Sequence, residues 1–301
     1  MTVQIHTIDL NFQDVPQSIA AYLVMGPDGP VLVETGPGST LDTLKAGIQA
    51  HGVAVNDIKH VLVTHIHLDH AGAAGWWAQQ GAKIYVHVVG APHLINPEKL
   101  LTSAGRIYED KMDMLWGDFL QAPAENVVPI EDNQQIDVAG LTFTALNTPG
   151  HAWHHHVYQL GDVAFTGDAA GICLSGQPFV DVPAPPPEFK LEVWMKTIDR
   201  LLERDFKAIY PTHFGRVDNP TFQLIALKQL MIDAVGFIRA NLLAGVSRDE
   251  MVTLFNQWQR ARAEAAGMDA EVVHKYEMAN PWYMSVDGIL RYWRKRDEKR
   301  K

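Results

Sequence analysis

The sequence predicts an α/β fold that closes in a helical extension, and three observations carry that prediction. Strand-like and helix-like patterns alternate from residue 20 to about 88, a second run of strand patterns covers 135 to 212, and the apolar period turns helical from Asn219 onward. At 301 residues and 47% apolar content, the chain can bury a large core without cross-links. Residues 1–218 read as one elaborated domain, and 219–301 as a helical block packed on it.

In chain order, A-A-Y-L-V-M-G (20–26) and V-L-V-E-T-G-P-G (31–38) pair as a hairpin around P-D-G-P. T-L-D-T-L-K-A-G-I-Q-A-H-G then reads as a helix ending at Gly52. I-K-H-V-L-V-T (58–64) is strand-like, and A-G-A-A-G (71–75) turns the chain into a further helical segment. Residues 91–128 break the rhythm with L-L-T-S-A-G-R-I-Y-E-D-K-M-D-M-L-W-G, which predicts short inserted helices of the kind that form lids. Strand patterns resume around 135–146, 156–160 and 162–166. The Pro-rich V-P-A-P-P-P-E-F leads to a helix at about 190–203, and K-A-I-Y-P-T (207–212) is the last strand pattern. Three helices are expected after Asn219, with the basic R-Y-W-R-K-R-D-E-K-R-K end in solvent. The pair Trp282–Tyr283 either lines a pocket or packs the final helix.

Seven polar side chains stand out against this pattern. His65 and His67 lie two apart after an extended stretch, so both rings point to one side and can share an ion. Asp69 and His70 follow where the chain turns, aimed at a neighbouring point, which suggests a second ion. His151, Asp168 and His213 each end a strand pattern, at the sheet edge where α/β proteins carry ligands and chemistry. Imidazoles and carboxylates without cysteine suit zinc, with iron or manganese as alternatives, and argue against a structural tetrathiolate site.

The ordered set T-H-I-H-L-D-H (64–70), T-P-G-H (148–151), T-G-D (166–168) and P-T-H (211–213) resembles the metallo-β-lactamase superfold, especially its glyoxalase II-like metallohydrolases, over residues 1–218. The resemblance implies a four-layer αββα sandwich. It also implies that His65, His67 and His151 bind one metal, that Asp69, His70 and His213 bind a second, and that Asp168 bridges them. The expected function is dinuclear zinc hydrolysis of a small-molecule ester, thioester or lactone through a metal-bridging hydroxide, with Asp69 handling the proton of the attacking water. Two other readings stay open: an iron oxidoreductase of the persulfide dioxygenase type, and a catalytically silent metal-binding protein.

Other residues are assigned supporting parts. Strand alternation sends His155 to the opposite face from His154 and His156, and His155 or His154 is expected to donate a hydrogen bond to substrate. Glu34, which stands where the superfold's T-G loop usually follows aspartate, reads as a structural partner of that loop. Thr64, Thr148 and Thr166 are candidate donors behind the ligands, and G-P-G at 36–38 reads as a turn and not a phosphate cradle.

Composition narrows the classes. A net charge of −10 argues against nucleic-acid binding, which needs a basic surface. The single cysteine, Cys173, allows no internal disulfide and suits a reducing compartment. The opening residues carry no secretory pattern, and no run of about 18 apolar residues occurs. The expectation is a cytoplasmic protein with a small-molecule substrate and no nucleic-acid or membrane partner, its oligomeric state left open.

Overall fold

The computed structural model describes residues 3–174 and 179–299. One sheet has six strands in the order of the chain: β1 (Gln4–Asp9), β2 (Ala20–Gly26), β3 (Gly29–Val33), β4 (His60–Leu62), β5 (Lys83–His87) and β6 (Val127–Ile130). β1 to β3 pair antiparallel, and β3 to β6 pair parallel. The second sheet runs β11-β10-β9-β8-β7, built from β7 (Gln135–Val138), β8 (Leu141–Asn147), β9 (His156–Leu160), β10 (Val163–Gly167) and β11 (Ala208–Pro211). Only its β10–β11 pair is parallel.

Period-two alternation explains the layers. In the first sheet Leu23, Leu32, Val61 and Val63 face outward onto Leu44, Ile48 and Trp77, which belong to α1 (Leu41–Ala50) and α3 (Ala74–Gln79). Their neighbours Tyr22, Val24, Val31, Val33 and Leu62 face inward onto Phe143, Tyr158 and Phe165 of the second sheet. That sheet's outer residues Leu146, Val157, Ala164 and Ile209 meet Trp194 and Ile198 of α7 (Leu191–Leu202) and the C-terminal helices. Three apolar interfaces between four layers make the αββα sandwich. The short α2 (Leu68–Ala71) starts within the histidine motif.

Residues 91–116 form three short helices, α4 (Ala91–Ile95), α5 (Glu98–Tyr108) and α6 (Met112–Trp116), as the broken rhythm predicts. The C-terminal block holds four helices among the described residues where three were expected: α8 (Pro220–Leu243), α9 (Arg248–Ala265), α10 (Ala270–Ala279) and α11 (Trp282–Glu298). Side-chain caps set three of the starts: Asn219 accepts from Phe222 N at 3.1 Å, Ser247 from Glu250 N at 3.3 Å, and Asp269 from Val272 N at 2.9 Å. The basic end is helical through Glu298 and not a solvated tail. Its Tyr292 is buried, and Asp297 accepts from Arg239 at 2.6 Å.

Asp181 ties this block to the sandwich. Its buried carboxylate accepts from Gln259 Nε2 at 2.6 Å, Asn280 Nδ2 at 2.8 Å and Trp282 Nε1 at 2.9 Å. The aromatic pair therefore divides its work, because Trp282 is buried in this network while Tyr283 reaches a cavity wall.

Candidate metal centre

Two backbone hydrogen bonds draw the sheets together at one rim. His156 N donates to Thr64 O at 2.7 Å just past β4, and Ala20 N donates to Thr212 O at 2.8 Å just past β11. The chain ends of β4, β8, β10 and β11 consequently meet, bringing together His65, His67, Asp69, His70, His151, Asp168 and His213. Two glycines permit the approach. Gly150 has φ +135 and Gly167 has φ +49; a Cβ at the first would overlap the Trp194 backbone, and at the second Thr64 Oγ1.

The donors form two seats. His67 Nδ1 lies 2.9 Å from His65 Nε2 and 3.0 Å from His151 Nε2. Asp69 Oδ2 lies 3.4 Å from His213 Nε2 and 3.7 Å from His70 Nε2. Asp168 stands between them, Oδ2 3.3 Å from His151 Nε2 and Oδ1 3.4 Å from His70 Nε2.

Supporting bonds fix which nitrogen of each ring faces inward. His151 Nδ1 donates to Pro183 O and His213 Nδ1 to Ser18 O, both at 2.7 Å. His70 Nδ1 donates to Glu34 Oε1 at 3.0 Å, and His65 Nδ1 donates to Thr64 Oγ1 at 3.0 Å. Thr64 Oγ1–H in turn donates to Glu34 Oε1. Four Nε2 lone pairs are left converging, and His70 Nε2 and Asp168 Oδ1 are buried without a hydrogen-bond partner. That donor set fits divalent cations.

The electrostatics differ between the seats. Burial, then the neighbouring imidazoles, hold His65 well below its ordinary value, and burial with His151 lowers His67 to about 3. These rings stay neutral and keep their lone pairs. Burial also opposes charge on His70, yet the carboxylates of Asp69, Asp168 and Glu34 outweigh it and raise that ring well above its ordinary value. Burial alone would raise Asp69, but His70 and His213 pull it down to about 2.

The remaining candidates separate. His154 borders the cavity, 3.3 Å from Glu188 Oε2. His155 is turned away from it: fully buried, it binds Thr148 Oγ1 through Nδ1 at 2.8 Å and accepts from Asp168 N through Nε2 at 3.2 Å. That places it behind Asp168, where its ring holds that residue's backbone N–H. Thr64 and Thr148 make bonds behind the ligands, whereas Thr166 Oγ1 has no partner and Thr212, not singled out from the sequence, donates to Glu34 Oε1 at 3.0 Å.

The histidine run has a pH consequence. Burial lowers His154 and His155 well below their ordinary value and His156 to about 3. The unfolded chain takes up these protons below about pH 6.5 while the folded one does not, so stability is complete above that pH and falls as pH drops. The expected slope is about 1.4 kcal/mol per pH unit for each such ring. Urea midpoints from pH 7 to 5 check this; His156→Phe should flatten part of the slope, and a wild-type midpoint that holds constant would contradict it.

A four-layer sandwich with this donor set at its rim defines an α/β metal-binding protein. Residues 15–213 match the family model of the Metallo-beta-lactamase superfamily. The chain belongs to that superfamily. It is similar to a metallo-beta-lactamase fold-containing protein of Sulfurisphaera tokodaii, 26% identical over 231 residues that cover 75% of this chain and 84% of the relative. It also resembles an atrochrysone carboxyl ACP thioesterase of Aspergillus fumigatus, 26% identical over 65% of this chain but only 38% of that protein. A crystal structure of a metallo-beta-lactamase family protein from Thermus thermophilus shares the fold over 98% of this chain and 94% of its own, with a TM-score of 0.69 at 22% identity. The C-terminal helices are thus part of a shared architecture.

Proposed function

We propose that this chain is a dinuclear zinc hydrolase of a small-molecule ester, thioester or lactone, glyoxalase II-like in its motif. The observation that carries this reading is Asp168, whose two oxygens lie within 3.4 Å of a nitrogen from each seat. His65, His67 and His151 would hold one ion and Asp69, His70 and His213 the other, with Asp168 shared. Bound there, the ions supply Lewis-acid activation of water and of the substrate carbonyl.

The chain's own groups do the rest. Asp69 is the more open carboxylate, its side chain 23% exposed against 5% for Asp168, and it faces the cavity. Held ionised, it accepts a hydrogen bond from the attacking water and orients it. His154, kept neutral by burial, stands at the wall where a carbonyl or leaving group passes. The thioesterase name of the Aspergillus relative supports including thioesters among the bonds cleaved. A one-iron dioxygenase would leave Asp69, His70 and His213 without a task. The test is a metal-loaded sample assayed on aryl esters, thioesters and lactones beside elemental analysis. Hydrolysis of at least one class with about two zinc ions per chain is expected, and one bound iron with no hydrolysis would overturn it.

A further inference from the structure

The metal rim opens into a cavity of about 650 Å³. At about 30 Å³ per water-sized group, that is room for roughly twenty heavy atoms. A carbonyl and its two substituent atoms fill a small part of it. Phe12, Ile19 and the Pro185–Pro187 connector line its sides, and two further segments without a candidate metal ligand close over it: the insertion, through Leu100, Ile107 and Met114, and the α10–α11 junction, through Met278, Pro281 and Met284.

These walls are apolar and pre-formed. The Tyr108 ring packs edge-on against Trp116 at 4.9 Å, and Trp116 stacks on Phe12 at 5.5 Å, so the insertion is braced against the sandwich. The Tyr108 hydroxyl touches Met284 Sδ at 3.8 Å, which joins the insertion to the C-terminal block across the top. Three methionines from three elements present unbranched thioether chains that adapt to an apolar guest of variable shape. Charges at the mouth alternate in sign, Lys99 and Lys111 beside Glu109 and Asp110, so no single-sign field selects an ionic group. A thioether is a weak acceptor, which leaves the Tyr108 O–H available to a guest oxygen.

From this roof we infer that the substrate class is carbonyl compounds bearing a bulky apolar chain of about eight or more carbons, lodged between the insertion and the α10–α11 junction. This deepens the hydrolase reading and rests on it for the reaction, though not for the binding.

Two arms keep them apart. Calorimetry of the metal-loaded protein with butan-1-ol, octan-1-ol and decan-1-ol should show one site whose affinity rises at least tenfold from the shortest to the longest. Ile107→Lys and Met284→Lys, both at half-buried positions, should each weaken decan-1-ol at least tenfold, while Ile232→Lys on the exposed face of α8 should not. In parallel, KM for p-nitrophenyl esters should fall at least tenfold from acetate to decanoate. Chain-length-independent alcohol binding, or binding that ignores Ile107→Lys and Met284→Lys, overturns the apolar-chain assignment. Normal alcohol binding with no ester, thioester or lactone hydrolysed overturns the hydrolase reading and upholds the cavity assignment.

Discussion

Asp69→Ala should lower kcat/KM on the most reactive ester or thioester by about 10²–10⁴-fold and reduce bound metal from two ions to one. The two seats are held by different supports. His65 and His151 take their supporting bonds from Thr64 and Pro183, and His67 lies against those two rings, so removing the Asp69 carboxylate leaves that neutral triad intact. The other seat loses its most open oxygen and keeps His70 and His213, which lean on Asp69 for their inward charge balance. Under the proposed reaction the attacking water would lose its acceptor at the same stroke. Metal content by elemental analysis and steady-state rates on one sample check both halves. Two retained ions with a rate within threefold of the parent would remove Asp69 from the chemistry.

Glu34→Gln should weaken zinc affinity about 10–100-fold without touching a ligand. Glu34 is 1% exposed, adopts φ 66, and accepts from Thr64 N at 3.2 Å, Thr64 Oγ1, His70 Nδ1 at 3.0 Å and Thr212 Oγ1 at 3.0 Å. It collects donors from β4, α2 and β11 onto one carboxylate. Glutamine offers one acceptor oxygen and one NH2 group, so at least one of those donors faces another donor. The stability cost is about 1–3 kcal/mol for a buried group left unpaired. His70 also loses a full negative charge that helps raise it. Competition with a chelating dye measures the affinity, and a change under twofold would show that Glu34 serves the loop alone.

The cluster of seven candidate residues was legible because coordination would demand particular side chains at particular strand ends. His65 and His67 announce a shared side through their spacing alone, and His151, Asp168 and His213 stand out as polar residues closing apolar runs. Their supports were not legible in the same way. Two are the backbone carbonyls of Ser18 and Pro183, which leave no mark in side-chain pattern. Glu34 and Thr212 are separated by 178 positions and meet only through the convergence of two sheets. His155 was offered beside His154 as a substrate-side donor, because spacing does not reveal that Asp168 N occupies the space its ring points into. The helical block was readable by period as far as Gly267, yet the stretch beyond it reads as one tail, whereas Asp269 caps α10 and Asn280–Pro281 separates α10 from α11.

None of the hydrogen bonds described for the seven ligands reaches residues 91–116 or 278–284. The cavity roof and the candidate metal seats therefore belong to separate stretches of chain. Drift in the first can reshape the roof while the second stays untouched, so one rim of polar groups is free to sit beneath many differently shaped roofs.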